Sequence, residues 1–232
     1  MVALDRMDAQ LRTLHLTESQ RMAQYVFDAV IASNVIVPGR REGEADQRIA
    51  RIAEEEFGLR AGLMGGRFVR SGPNTVLGGG WPDRVIGADD VVVVDFEPLL
   101  RPYETGFART VVLGNCPQRR RLVHDLTAVA TAAQDMFRSA AAITGRELHS
   151  RIQALATAAD RSLGSWHVGR MTGTVPGPRN EARPAQFICP DNNQPLRHTL
   201  DKGWRARWIL EIRLIDEYHG TAGTHTELLG IN

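Results

Sequence analysis

Lysine is all but missing from this 232-residue chain: of its 28 basic residues only Lys202 is not an arginine, a skew that fits a GC-rich coding sequence rather than a mechanism. Cysteine is scarce too. Cys116 and Cys189 cannot build a disulfide framework and match no metal-ligand spacing, so two reduced thiols in a cytosol are expected. No long apolar run is present. The longest, Val91 to Val94, falls far short of the ~20 residues that span a bilayer. The polar opening MVALDRMDAQ lacks the apolar core of a signal peptide, which leaves a soluble cytoplasmic protein as the expectation. Neither sign of charge dominates, with 28 basic against 27 acidic residues and a net charge of +1. That balance argues against nucleic-acid and membrane-surface partners. The glycine-rich stretches GGRFVRSG and LGGGW are not followed by G-K-[ST], so neither makes a phosphate loop.

What is present is ordinary globular material, 43% hydrophobic and 24% charged. Thr17 to Gln20 reads as a capping box, after which Met22, Tyr25, Val26, Ala29 and Val30 recur at helical spacing. A second helix follows the turn VPGRRE, carries Ala45, Ile49, Ile52 and Ala53, and stops at Gly58. Residues 61–98 read as strands and turns, ending in the buried strand VVVVD. The order then repeats. A long helix spans 118–141, the break ITGRE leads to a helix with Leu148, Ile152 and Leu155, and strands follow with a Pro-rich loop over 174–200. Two helices with a Gly turn, then strands, twice over, point to an internal duplication. In the last long strand, Trp204, Ala206, Trp208, Leu210, Ile212 and Leu214 point to one side. Arg205, Arg207, Ile209, Glu211 and Arg213 point to the other, so the second face opens on a cavity.

Three carboxylates stand out. Asp95 ends an apolar strand, Glu211 lies between arginines on a strand face, and Glu227 follows His225 by two residues. A buried carboxylate needs a cation, a set of donors or a raised pKa. Each of the three also has a plain structural reading, as a strand-end or ion-paired acid.

The segment SGPNTVLGGGWPDRVIGADDVVVVDFEPLLRPYETGFARTVVLG resembles the heart of the pita-bread metallopeptidases, the superfamily of methionine aminopeptidase, aminopeptidase P, prolidase and creatinase. Their pattern runs S-G-P-N, a His, G-D-x-V-x-x-D-x-G, then Y-x-x-D-x-x-R-T. VPGRREGEADQRIARIA is similar to their P-G-x-x-E connector, WHVGRMTGTVP to their H-G-I-G-x-x-x-H-E-x-P, KGWRARWILEIR to their Glu-bearing strand, and THTELL to their final one. The resemblance implies an α+β fold over residues 1–232 as one domain: a curved antiparallel sheet with two pseudo-symmetric helix pairs on its outer face. The extra N-terminal domain of aminopeptidase P and creatinase has no counterpart in the sequence.

Carried over position by position, the first metal Asp falls on Asp95 and the second on Gly106, which cannot ligate. The metal His falls on Trp166, with His167 one step away, and the two metal Glu fall on Glu211 and Glu227. The substrate-facing His falls near Gly79, and the later His near Gly173. Tyr103, Arg109 and Thr110 keep the surroundings. A bridged pair of ions needs about five ligands at about 3.5–4 Å spacing, so the resemblance implies a degenerate site with neither metal nor other cofactor. The first reading is a metal-free enzyme for hydrolysis, elimination or cyclisation. Asp95, Glu211, Glu227, His167 and His225 would be its catalytic groups. Tyr103, Arg109, Trp166, Gly79, Gly106 and Gly173 would line the pocket, and a small substrate bearing an amine or guanidine would supply the cation. Alternatives are a non-catalytic binding or pathway-partner subunit, and a one-metal hydrolase using Asp95, His167, Glu211 and Glu227. A homodimer is expected from the relatives, with loop 174–200 as lid or dimer contact.

Overall fold

The computed structural model describes residues 2–60, 67–77, 80–100, 105–174, 177–200 and 203–230. Helices α1 (Val2–Ala32) and α2 (Glu42–Phe57) come first, then strands β1 (Val69–Ser71) and β2 (Val91–Asp95). A single helical turn, α3 (Glu97–Leu100), precedes β3 (Ala108–Val112). The second half supplies α4 (Pro117–Ser139), α5 (Gly145–Ala158), β4 (Ser162–Leu163), β5 (Gly169–Met171), β6 (Trp208–Asp216) and β7 (Thr221–Leu228). The strands form one antiparallel sheet ordered β1-β2-β3-β7-β6-β4, with β5 also paired to β6. Each half packs its helix pair on that sheet. Val26, Val30, Ala45 and Ile49 meet Val92 and Val94, while Leu122, Leu126, Leu148 and Ile152 meet Leu210, Ile212 and Leu214.

The repeat inferred from the sequence has a counterpart at the helix starts. Arg41, just before α2, bridges to Val85, and Thr144, just before α5, bridges to Pro195. The termini of the short helices follow local chemistry. α2 stops where Gly58 turns left-handed at φ 67° and its N–H returns to the Glu54 carbonyl. α5 starts on a capping box, the Thr144 hydroxyl accepting from Glu147 N while the Glu147 carboxylate accepts from Thr144 N. The capping box expected at Thr17 is absent. α1 runs straight through it, the Thr17 hydroxyl donates to the Thr13 carbonyl, and Gln20 instead accepts from Leu228 N on β7. The side chains that suit a cap are equally content bonded within or across a helix.

Two sequence motifs lock the first half together. Glu42, at the start of α2, is fully buried, and its Oε1 accepts from Ser71 N at 2.6 Å and Ser71 Oγ at 2.7 Å. Its Oε2 accepts from Asn74 Nδ2 at 2.9 Å and Arg67 at 3.2 Å. The Glu of V-P-G-R-R-E is thus the acceptor for the donors of S-G-P-N. One turn on, Asp46 accepts from Phe68 N and Val69 N. Burial lifts Asp46 to about 6 against the pull of those bonds.

Loop 177–200 is not a lid over the cavity. Ile188 exchanges backbone bonds with Val168 and Gly169, Arg146 N donates to the Asn192 carbonyl, and Trp208 Nε1 donates to the Leu196 carbonyl. Its apolar residues Phe187, Ile188, Cys189 and Leu196 are buried, so it forms a strap beside β5 and α5.

Glu42→Ala strips the partner from four donors and is expected to cost about 3–5 kcal/mol in urea denaturation, because a buried charge network is broken on one side only. A loss below about 1 kcal/mol would contradict this role.

Candidate functional site

The cavity lies on the sheet face turned away from the helices. It encloses about 150 Å³ and is lined by Arg70, Asp95, Glu97, Gly106, Ser165, His167, Arg170, Glu211, Arg213, Thr224 and Thr226. Strand register explains most of that set. Residues paired across antiparallel strands share a face, and Glu211 pairs with Thr226, Thr226 with Ala108, and Ala108 with Asp95. The alternation expected for 204–214 holds from Trp208 onward, where the strand begins: Glu211 and Arg213 face the cavity, while Leu210, Ile212 and Leu214 enter the core.

His167 arrives by a different route. Between the pairs Leu163–Leu214 and Gly169–Leu210, five residues (164–168) stand against three (211–213), so the strand edge bulges by two residues. Such a bulge re-aims side chains. Ser165 and His167 line the cavity, and Trp166 does not, its ring packed 4.7 Å from those of both His167 and Phe187. The aromatic wall expected from Trp166 is therefore not part of this cavity.

Glu227 and His225 lie on the helix face of the sheet. They pair across β6 with the core residues Leu210 and Ile212, and Thr224 and Thr226 take the cavity positions. Glu227 is held there by Arg109 at 2.7 Å, His225 at 3.0 Å and Gln134 at 2.8 Å. Burial raises its pKa, but His225, Arg109 and Gln134 outweigh burial and hold it at about 2. Arg109 belongs to this second network and not to the cavity wall. Gly173 sits in an exposed turn at φ 79°, a left-handed conformation that suits glycine, and does not line the cavity. Tyr103 and Gly79 lie outside the described residues.

Arg170 is the residue that sequence reasoning missed. It is 5% exposed. Nε donates to Glu211 Oε1 at 2.7 Å, Nη1 donates to the Thr174 carbonyl at 2.6 Å, and Nη2 lies 3.5 Å from Glu97 Oε1. Arg70 stands 3.3 Å from Asp95 Oδ2. Asp95 and Glu211 thus already have cations, supplied by the chain itself. Gly106 leaves no empty space either: a Cβ there would come within 3.2 Å of Thr226 and 3.5 Å of Arg170 Nη2. The only signal in the sequence was an arginine inside the WHVGRM stretch, beside residues expected to line the cavity.

Burial raises Glu211 to about 7 despite Arg170, helped by the charges of Glu97 and Asp95. Burial and the Arg170 charge lower His167 to about 4, so the imidazole is neutral. Its Nδ1 is 3.6 Å from Glu211 Oε2, beyond hydrogen-bond reach.

These residues do not fit a metal centre of the expected kind. Arg170 occupies one oxygen of Glu211, Gly106 offers no ligand atom, and Glu227 faces the other way. Among the described residues, no group of three His, Cys, Asp or Glu side chains is arranged to hold an ion.

Residues 15–198 match the model of metallopeptidase family M24, and the chain belongs to that family. No curated protein matches it in sequence. Its fold is shared with a prolidase from Thermococcus sibiricus at a TM-score of 0.67 and 18% identity, covering 94% of this chain and 56% of that one. An X-Pro aminopeptidase from Thermotoga maritima gives 0.67 at 17% identity, covering 99% and 64%. Methionine aminopeptidase from Rickettsia prowazekii gives 0.66 at 11% identity, covering 96% and 98%. The chain spans about 56% and 64% of the first two enzymes' lengths. At these identities the likeness establishes the fold, the pita-bread sheet with its two helix pairs.

Two outcomes test the site. Arg170→Met removes the charge that holds Glu211 down, so the carboxyl takes up a proton at neutral pH. The cost is expected to be about 1–3 kcal/mol, that of a buried polar group left without its partner, most of it recovered in the double variant Arg170→Met/Glu211→Leu. The second concerns pH. Glu211 keeps its proton in the folded chain up to about 7, whereas its unperturbed value is 4.5. The folded state therefore binds more protons in that window, and the Glu211 contribution to stability falls as pH rises through it. In Glu211→Gln that slope vanishes, so its melting temperature relative to wild type is expected to rise between about pH 5 and pH 7.5. An unchanged difference would contradict the raised pKa.

Proposed function

We propose that the chain is a metal-independent enzyme of the M24 fold, with Glu211 as its proton-handling group, acting on a small amino-acid-derived substrate. The observation that carries this reading is the Arg170 guanidinium bonded to Glu211 at 2.7 Å. It places a tethered cation against the carboxylate onto which the family's metal Glu falls. With a pKa near 7, Glu211 exchanges protons readily at neutral pH, the condition that favours general acid–base catalysis. His167, neutral and facing Glu211 across the cavity, orients the substrate through a hydrogen bond. Asp95 and Glu97, bound to Arg70 and Arg170, fix the charge around the reacting group. The expected need for a cationic substrate weakens, because the guanidinium groups already meet it.

A second reading has its own support. Every acid in the cavity is paired or nearly so, and only about 150 Å³ remains, which suits a non-catalytic binding or partner subunit equally well.

The assay is a panel of dipeptides, amino-acid amides and guanidino acids, run with a strong chelator. The expected result is turnover that survives chelation and falls about 10²–10⁴-fold in Glu211→Gln. Turnover that chelator abolishes and Mn(II) or Co(II) restores would overturn the metal-independent reading. No turnover on any of the panel would favour the binding subunit.

A further inference from the structure

Three polar atoms in the cavity wall are buried with no hydrogen-bond partner among the described residues: Arg213 Nε, Thr224 Oγ1 and His167 Nδ1. Arg213 and Thr224 are directly paired across β6 and β7. His167 approaches from the bulge and is 7% exposed.

Arg213 is built into the wall. Its Nη2 donates to the carbonyls of Thr75 at 2.6 Å and Leu77 at 3.2 Å. Its methylenes and Nε lie on Gly164, where a Cβ would come within 2.8 Å of the methylenes and 3.2 Å of Nε, so the glycine is the cradle for this side chain. Among the described residues Arg213 has no carboxylate partner. Arg170 is paired to Glu211 and Glu97, Arg70 is paired to Asp95, and the like charge of Arg70 acts on Arg213. Among the described residues, one guanidinium in the cavity therefore lacks a counter-ion, and the unpartnered atoms beside it belong to a hydroxyl and an imidazole.

We propose that Arg213, Thr224 and His167 form an oxyanion subsite that receives the carboxylate of a small monocarboxylic acid. The inference deepens the metal-independent reading and rests on it, since an ion between Asp95 and Glu211 would recruit anions on its own. Guanidinium and hydroxyl hydrogens, with a neutral imidazole protonated at Nδ1, make a set of donors suited to an acceptor-only group. A planar guanidinium matches carboxylate geometry. The acids Asp95, Glu97 and Glu211 in the same wall disfavour a dianion, so a carboxylate is preferred over hydrogenphosphate. The cavity of about 150 Å³ suits an acid the size of a small amino or keto acid, or the carboxylate end of a larger one.

The test is a thermal-shift titration of the whole chain with sodium acetate, in chelator and at constant ionic strength. Sodium phosphate and methylammonium chloride serve as comparisons. The expected result is a saturable rise in melting temperature with acetate, a midpoint at least about tenfold higher for phosphate, and no shift with methylammonium. In Arg213→Met, which keeps a chain lying on Gly164, the acetate shift disappears. In Thr224→Val the midpoint rises about tenfold, the loss of one buried hydrogen bond. Thr224→Val alone carries the test if Arg213→Met fails to fold. No saturable acetate shift, an equal shift in the folded variants, or a shift with methylammonium alone would overturn the subsite. Repeating the titration with Mn(II) in place of chelator separates the two ideas. A shift from Mn(II) itself sinks the metal-independent reading, while acetate binding in the chelated protein decides the subsite.

Discussion

The ion pair between Arg170 and Glu211 sets the terms for everything on the cavity side of the sheet. A buried carboxylate without a partner is expensive, and so is a buried guanidinium. Here each meets the other at 2.7 Å, with the Thr174 carbonyl and Glu97 taking up the remaining edges of the guanidinium. The surroundings are shaped to keep it there. Gly106 carries no Cβ to crowd Thr226, and the left-handed turn at Gly173 precedes the carbonyl that Arg170 Nη1 reaches.

The M24 scaffold is held together away from the cavity. Glu42 gathers Ser71, Asn74 and Arg67 on the first half, and Thr144 with Glu147 caps the matching helix of the second. Gln134 ties α4 to β7 through Glu227 and the Leu228 carbonyl, and Gln20 ties α1 to the same strand. None of these contacts involves the cavity. The fold and the chemistry can therefore diverge independently.

Much of the fold was legible because periodicity reports it directly. The alternation from Trp208 to Leu214 assigned both faces of β6, the apolar spacing of α2 and α4 marked their buried sides, and Gly58 marked a helix end. The site was harder to read, for reasons of register. One position decides whether Thr226 or Glu227 faces the cavity, and the sequence of β7 alternates polar residues on both faces, so composition does not choose. The same limit applies to Trp166, expected to line the pocket, and to His167, expected as a catalytic group. A two-residue bulge puts His167 in the cavity lining and leaves Trp166 out of it, and bulges leave no mark in a single sequence. Thr17 failed as a cap because its hydroxyl found the Thr13 carbonyl one turn earlier. Arg170 stayed hidden because its significance depends on Glu211, 41 residues away in the chain.

The account stands or falls on which cation meets Glu211. Crystals grown at neutral pH with excess Mn(II), measured for anomalous scattering at the manganese edge, answer this directly. The expected map has no manganese peak in the cavity and Arg170 Nε still bonded to Glu211. A strong peak between Asp95 and Glu211, with the Arg170 side chain swung aside, would contradict the account.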